Sequence, residues 1–238
     1  MNFDEFLKKL QIGLKYIDED ISEEKAKKLY VYMKLLISWN EKVNLTAIVE
    51  PDDIIMKHFV DSISVSKFIK EKAKVIDVGT GAGFPGIPLA IFRDDLNVVL
   101  LDSLNKRINF LNNVCKELNL DNIKTEHNRA EDFGNDKDYR ESFDIAVSRA
   151  VGSLNILVEY LLPFVKIGGK CLCMKGPKVD EEVLVSKNAL KILGGKIESI
   201  QKIEIRNMER NVVVIEKSRN TPKKYPRKAG IPSKKPIE

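Results

Sequence analysis

Residues 1–70 carry apolar side chains at helical intervals. Phe3, Phe6, Leu7, Leu10 and Leu14 recur three and four apart and predict an amphipathic helix. A second helix is expected after Ser22, with Glu23 and Glu24 at the positive end of its dipole. Leu29, Tyr30, Met33, Leu36 and Ile37 form its expected apolar face, and the pattern breaks at Trp39-Asn-Glu-Lys-Val-Asn-Leu-Thr46. Pro51 suits a first helical position and opens a third helix running to about Ile69.

From Lys74 the period changes. Short apolar runs at 75–78, 97–101, 123–127, 143–147 and 170–174 predict strands, the second ending in Asp102. Helical patterns at 88–92, 104–118, 153–165 and 179–193 lie between them. Such alternation predicts a parallel sheet with helices on both faces. Two further extended runs, 196–205 and 211–216, flank Arg206-Asn-Met-Glu-Arg210 and predict a closing antiparallel hairpin. The expected organisation is a helical segment 1–70, an α/β domain 71–217 and a tail 218–238.

Composition adds little to this but compartment and charge. At 43% hydrophobic and 32% charged, the chain has enough apolar residues for a core. It offers no apolar run of membrane length, and the acidic start Met1-Asn-Phe-Asp-Glu-Phe lacks the pattern of a secretory signal. Three cysteines without framework spacing fit a reducing, cytoplasmic setting. Cys171 and Cys173 fall on one face of a strand and read as core rather than metal ligands. From Lys217 onward, eight basic residues face Glu238 alone, +7 against +5 for the whole chain. This proline-containing tail suits either a polyanion partner or a solvated extension.

The chemistry concentrates in Val75-Ile-Asp-Val-Gly-Thr-Gly-Ala-Gly-Phe-Pro-Gly86, an apolar strand entering a glycine-dense turn. Two templates fit. Gly81-Ala-Gly83-Phe-Pro-Gly86 matches the dinucleotide fingerprint, and Asp102 follows where that motif wants a ribose-binding acid. The second template is acid-x-Gly-x-Gly-x-Gly, with Asp77 two residues before Gly79. A carboxylate at the strand's mouth would repel a pyrophosphate, whereas S-adenosylmethionine has no phosphate and presents a sulfonium and an amine. Asp77 and the hairpin therefore favour S-adenosylmethionine over a nicotinamide cofactor. A nicotinamide oxidoreductase and a non-enzymatic RNA-binding module remain the alternatives, each opposed by Asp77 and the intact glycines. Asp102 is expected to accept from a ribose hydroxyl or to cap the helix from Leu104. Ala130 and Glu131 fall where an adenine ring would lie.

These residues resemble the bacterial 16S ribosomal RNA guanine-N7 methyltransferases, the glucose-inhibited division protein B family. The resemblance runs nearly end to end. It includes Trp39–Thr46, His58-Phe-Val-Asp-Ser62, Asp77 through Pro88, Leu101-Asp-Ser-Leu-Asn-Lys-Arg107, Arg129-Ala-Glu131, Ser148-Arg-Ala150 and Tyr225-Pro-Arg-Lys-Ala-Gly-Ile-Pro232. It implies a class I S-adenosylmethionine-dependent methyltransferase fold, Rossmann-like, with a seven-stranded, mostly parallel sheet. It implies a cofactor site at Gly79, Phe84, Asp102, Ser103, Leu104, Ala130, Glu131 and Arg149. The substrate it implies is a guanosine of 16S ribosomal RNA or of the small subunit. No metal and no membrane are expected, and the protein is expected to be a monomer.

Guanine N7 has a free lone pair and no proton to lose, so no general base is expected and positioning is the main lever. In agreement, Ser148-Arg-Ala150 stands where exocyclic-amine methylation would use an Asn/Asp-Pro-Pro-aromatic tetrad and C5 methylation a Pro-Cys pair. Arg149 is expected to face the cofactor's carboxylate or to bridge to Glu131 or Asp102. His58 and Asp61, three apart on one helix face, read as a structural pair. Asn40 and Asn44 are candidates for base-edge contacts or turn formation, and Lys223, Lys224, Arg227 and Lys228 for RNA phosphates. Trp39 reads as core.

Overall fold

A computed structural model describes residues 1–238. Helix α1 (Phe3–Leu14) is capped by the Asn2 side chain, which accepts from Glu5 N. Helix α2 (Glu23–Val43) is capped by Ser22 and runs through Trp39, past the expected break. The chain turns only at Asn44, in the left-handed region at φ 49°. Asn40 makes that turn. Its carboxamide oxygen accepts from Leu45 N and Thr46 N at 2.6 and 2.9 Å, and its nitrogen donates to Thr46 O. The third helix is composite: α3 (Pro51–Asp53) and α4 (Asp61–Ile63) are joined by wide π-type turns over Ile54–Val60. Wide turns of this kind re-aim side chains and recur at functional sites. Here they carry His58.

The remainder forms the expected alternation. It comprises β1 (Lys74–Val78), α5 (Gly86–Phe92), β2 (Asn97–Asp102), α6 (Asn105–Glu117), β3 (Ile123–His127), a short α7 (Ala130–Phe133) and β4 (Phe143–Arg149). Then come α8 (Leu154–Leu161), β5 (Val165–Lys175), α9 (Val179–Leu193), β6 (Gly195–Ile205) and β7 (Met208–Lys217). The strand order is β3-β2-β1-β4-β5-β7-β6, with β7 antiparallel to both neighbours. The order reverses between β1 and β4, where the loops leaving adjacent strands diverge and open a crevice.

The hairpin differs from expectation. It turns on Arg206 and Asn207 alone, with Arg206 at φ 58°, and Met208–Arg210 belong to β7. Glu209 and Arg210 are strand residues in the end of β7 that extends past β5 and pairs with β6 alone, where Glu209 pairs with Lys202 at 2.7 Å. The edge strand β6 alternates charged residues with apolar ones, which discourages pairing with another chain.

Helices α1 and α2 share one apolar core with a face of the sheet, through Phe6, Leu10, Tyr32, Leu36, Phe59 and Phe110. The buried face of α2 includes Tyr32, while Tyr30 and Ile37 are only half-buried and Trp39 rests against Phe110. The opposite face packs α8, α9, Cys171 and Cys173. Tyr225 and Ile237 of the tail join this second core.

The tail is therefore folded. At the end of β7, the fully buried Lys217 donates to Leu162 O and Thr221 Oγ1, both at 2.5 Å. Arg140 donates to the carbonyls of Thr221 and Tyr225. The Arg227 guanidinium forms a fork on buried Glu159, with Nε–Oε1 2.9 Å and Nη2–Oε2 2.6 Å. This corrects the expectation for Arg227, because its charge is committed to Glu159. Lys223, Lys224 and Lys228 are exposed. Removing one partner of a buried ion pair strands the other, which costs about 3–5 kcal/mol. Arg227→Ala is expected to lower the unfolding free energy by that amount, seen as a lower urea midpoint at unchanged m-value in equilibrium unfolding followed by circular dichroism.

Candidate active site

The crevice is lined by the ends of β1, β2 and β4 and the turn after β3. The turn after β1 sets its floor. Gly79, Gly81 and Gly83 all sit at positive φ, +70°, +63° and +101°. A Cβ on Gly79 would come 2.7 Å from Val151, and one on Gly86 would come 2.2 Å from Leu100. A Cβ on Gly81 would meet nothing within 4 Å. Gly81 thus faces open crevice, and its missing side chain leaves backbone accessible to a ligand.

Three side chains hold this turn. Asp77, completely buried, accepts from Thr80 Oγ1 at 2.6 Å and from Gly86 N at 2.8 Å. Burial pushes its carboxyl up to about 7 against these two hydrogen bonds, and Oδ1 has no partner. The expected direct attraction between Asp77 and a ligand amine is corrected here. The carboxylate lies beneath the turn, off the crevice wall, and ties the turn to the start of α5. From the other side the Tyr32 hydroxyl donates to Ala82 O. Tyr32 was hidden in the sequence because one tyrosine on a helix face looks like any other. Its only signal was the α2 register that puts it, rather than Tyr30, inward.

Asp102, at the end of β2, is the third. Its carboxylate accepts from Gly81 N and Leu104 N, both at 2.9 Å, and from Arg107 at 3.2 Å. A carboxylate offers about four acceptor sites, so capacity for a further hydroxyl remains. It does not cap α6; it closes the turn before it. Ser103 lines the crevice, but Leu104 projects outward, 42% exposed, and contributes only its backbone N–H. Ala130 and Glu131 begin α7 on the same wall, and Glu131 accepts from Gly230 N at 2.8 Å.

Phe84, Arg149 and His58 form the other end. The His58 ring stacks on Phe84 at 4.2 Å, and the Arg149 guanidinium lies 5.1 Å above the same ring. Arg149 donates to Lys57 O (2.9 Å), to Asp61 Oδ2 (2.8 Å) and to His58 Nδ1 (3.0 Å). The expected bridge to Glu131 or Asp102 is absent; the partner is Asp61, which also accepts from Arg210 at 3.0 Å. His58 and Asp61 are not paired with each other, since the wide turns swing both onto Arg149. A guanidinium cannot accept, so His58 Nδ1 is the acceptor and Nε2 carries the proton toward Thr46 Oγ1 at 3.1 Å. Burial and the Arg149 charge push this imidazole down to about 3. Arg149 keeps two N–H groups, on Nε and Nη2, for a ligand. Asn40, spent on its turn, and exposed Asn44 do not line the crevice.

Two contiguous cavities share Gly79, Asp102, Ser103 and Val151. One, of about 190 Å³, runs over Ala130 and Glu131; the other, of about 430 Å³, runs over Phe84 and Arg149. A third, of about 590 Å³, continues beyond Arg149 past Lys57, Lys175 and Arg210. The open backbone at Gly81, the unspent acceptor on Asp102 and the unspent donors on Arg149 fit a phosphate-free adenosyl amino acid. Fold and site together define an S-adenosylmethionine-dependent methyltransferase.

Comparison with known proteins narrows the class. Residues 25–213 match the family model GidB, described as rRNA small subunit methyltransferase G. The chain belongs to this family. It is 53% identical over 222 residues to a ribosomal RNA small subunit methyltransferase G of Clostridium beijerinckii, covering 92% of this chain and 93% of that one. It is 49% identical to the protein of the same name in Clostridium botulinum, covering 98% of this chain and all of its relative. Among solved structures, a SAM-dependent methyltransferase from Aquifex aeolicus shares the fold with a TM-score of 0.52 at 18% identity, over 76% of this chain and 98% of that one.

Two measurements check this geometry. Gly81→Ala is expected to cost about 1–2 kcal/mol of stability for its left-handed backbone and to weaken S-adenosylhomocysteine binding at least tenfold in calorimetry. The depressed His58 pKa means that the stability from its neutral ring is complete above pH 6.5 and lost as pH falls toward 3. In nitrogen-detected NMR, His58 is expected to show the Nε2–H tautomer and no titration between pH 8 and 5.

Proposed function

We propose that this protein transfers the methyl group of S-adenosylmethionine to N7 of a guanosine in 16S ribosomal RNA. In this reading the adenosine lies in the cavity over Ala130 and Glu131, with its ribose against Asp102. The methionine end runs over Gly79, Gly81 and Phe84 toward the free N–H groups of Arg149. The target base approaches from the cavity beyond Arg149, where Lys57, Lys175 and Arg210 favour a polyanion.

One observation carries the choice of N7. Each acid lining these cavities, and the imidazole, already holds at least one protein donor or cation. Asp61 is held between Arg149 and Arg210, Asp102 accepts three hydrogen bonds, and Glu131 holds Gly230 N. Glu182 holds Lys175 and Leu154 N, while His58 is neutral with both ring nitrogens engaged. Such a site is poor at removing a proton, and alkylation at a ring nitrogen with a free lone pair requires none removed. What it requires is alignment of nitrogen, methyl and sulfur, which a rigid floor supplies. Guanine N7 lies in the groove that A-form RNA closes to side chains, so the reading also calls for an unpaired or extruded base. The names carried by relatives, methyltransferases of small-subunit ribosomal RNA, support the substrate class.

The test is methylation of small-subunit RNA from cells lacking this protein, with labelled S-adenosylmethionine, followed by borohydride–aniline cleavage and primer extension. Expected is label in the RNA and cleavage at a single guanosine. Label without cleavage would place the methyl on another atom; label confined to protein would overturn the RNA assignment.

A further inference from the structure

The tail carries exposed lysines, yet its inner side reaches the crevice. Gly230 and Ser233 line the 190 Å³ cavity together with Gly79, Asp102, Ala130 and Glu131. Two tethers hold them there. Gly230 N donates to Glu131 Oε1 at 2.8 Å, and the Ser233 hydroxyl is 2.9 Å from the Tyr160 hydroxyl, itself on the cavity wall. Gly230 is at φ +79° and immediately precedes the short helix α10 (Ile231–Lys234). Upstream, the Arg227–Glu159 fork and the carbonyl clamp of Arg140 fix where the segment arrives. Pro232 within the segment and Ile237 downstream of it are buried.

The geometry points to residues 230–233 as a wall of the cofactor site, with Ser233 and Tyr160 bounding its adenosine end. This deepens the proposed function and rests on its placement of the adenosine over Ala130 and Glu131. Glu131 accepts the Gly230 N–H and so couples the α7 wall to the tail. Ser233 and Tyr160 share a hydroxyl pair on the cavity lining in which either oxygen can donate, and each hydroxyl retains acceptor capacity. A purine edge with an exocyclic amine and ring nitrogens is the chemistry such a pair suits. The tail is then more than a phosphate-holding extension. One segment presents lysines outward and closes the adenosine pocket inward, so removing it impairs both substrates.

The experiment uses the full chain with single substitutions and reads cofactor binding separately from RNA. Ser233 lines the cavity and is exposed rather than part of the core, so a larger side chain there is placed to narrow the pocket without displacing core. Ser233→Trp is expected to weaken binding of S-adenosylhomocysteine, and of adenosine alone, at least tenfold, with the thermal unfolding midpoint retained. Tyr160→Phe, which leaves the cavity open and removes one hydroxyl, is expected to weaken both about threefold. Expected kinetics are a raised KM for S-adenosylmethionine with the KM for RNA little changed. The inference is overturned if Ser233→Trp binds S-adenosylhomocysteine as the unsubstituted protein does, or if only the KM for RNA rises. Failure of the unsubstituted protein to bind S-adenosylhomocysteine would instead overturn the underlying reading.

Discussion

The glycine turn has its shape because side chains from separate elements hold its backbone from below, behind and in front. Asp77 takes Thr80 and the first amide of α5, Tyr32 takes Ala82 O, and Asp102 takes Gly81 N. Asp77 does so at a cost. A completely buried carboxylate is desolvated, which is why its proton affinity rises, and two strong donors offset only part of that. A rigid floor at the mouth of a parallel sheet is what an alignment reaction needs, because catalysis of that kind comes from geometry rather than proton transfer.

The same logic governs the charges around Arg149. Its guanidinium meets a backbone carbonyl, a carboxylate and a neutral imidazole, with an aromatic ring beneath. Asp61 carries a second arginine from β7. Helical, parallel and hairpin parts of the chain are thereby joined across one cluster. The wide turns at Ile54–Val60 make it possible: regular helical spacing would leave His58 and Asp61 facing each other. A His–Asp pair in sequence becomes a two-sided clamp on an arginine in space.

Most of the architecture was readable from periodicity. Five strands, the intervening helices and the closing hairpin follow from local pattern, because a parallel sheet needs apolar runs and amphipathic crossovers wherever it occurs. Local pattern misplaced what depends on register. Helix α2 continues through Trp39 to Val43 because nothing there breaks a helix until Asn40 turns the chain. The hairpin is tighter than its polar residues suggested, since Met208–Arg210 lie past the pairing of β7 with β5 and meet β6 alone, where a strand end tolerates charge. Tyr32 and Tyr30 are equivalent until the core chooses which faces inward.

The sequence by itself determined the fold class, the glycine turn and, through its motifs, the family. These are legible because backbone freedom and hydrophobic period are local properties of the chain. Tertiary structure alone decided the fate of the charges. Asp77 went under the turn, Asp61 between two arginines, Arg227 onto a buried glutamate and the tail against the pocket. An ionisable side chain takes its role from whichever opposite charge or hydrogen-bond partner burial brings within about 3 Å, and those partners lie as many as 149 residues away along the chain.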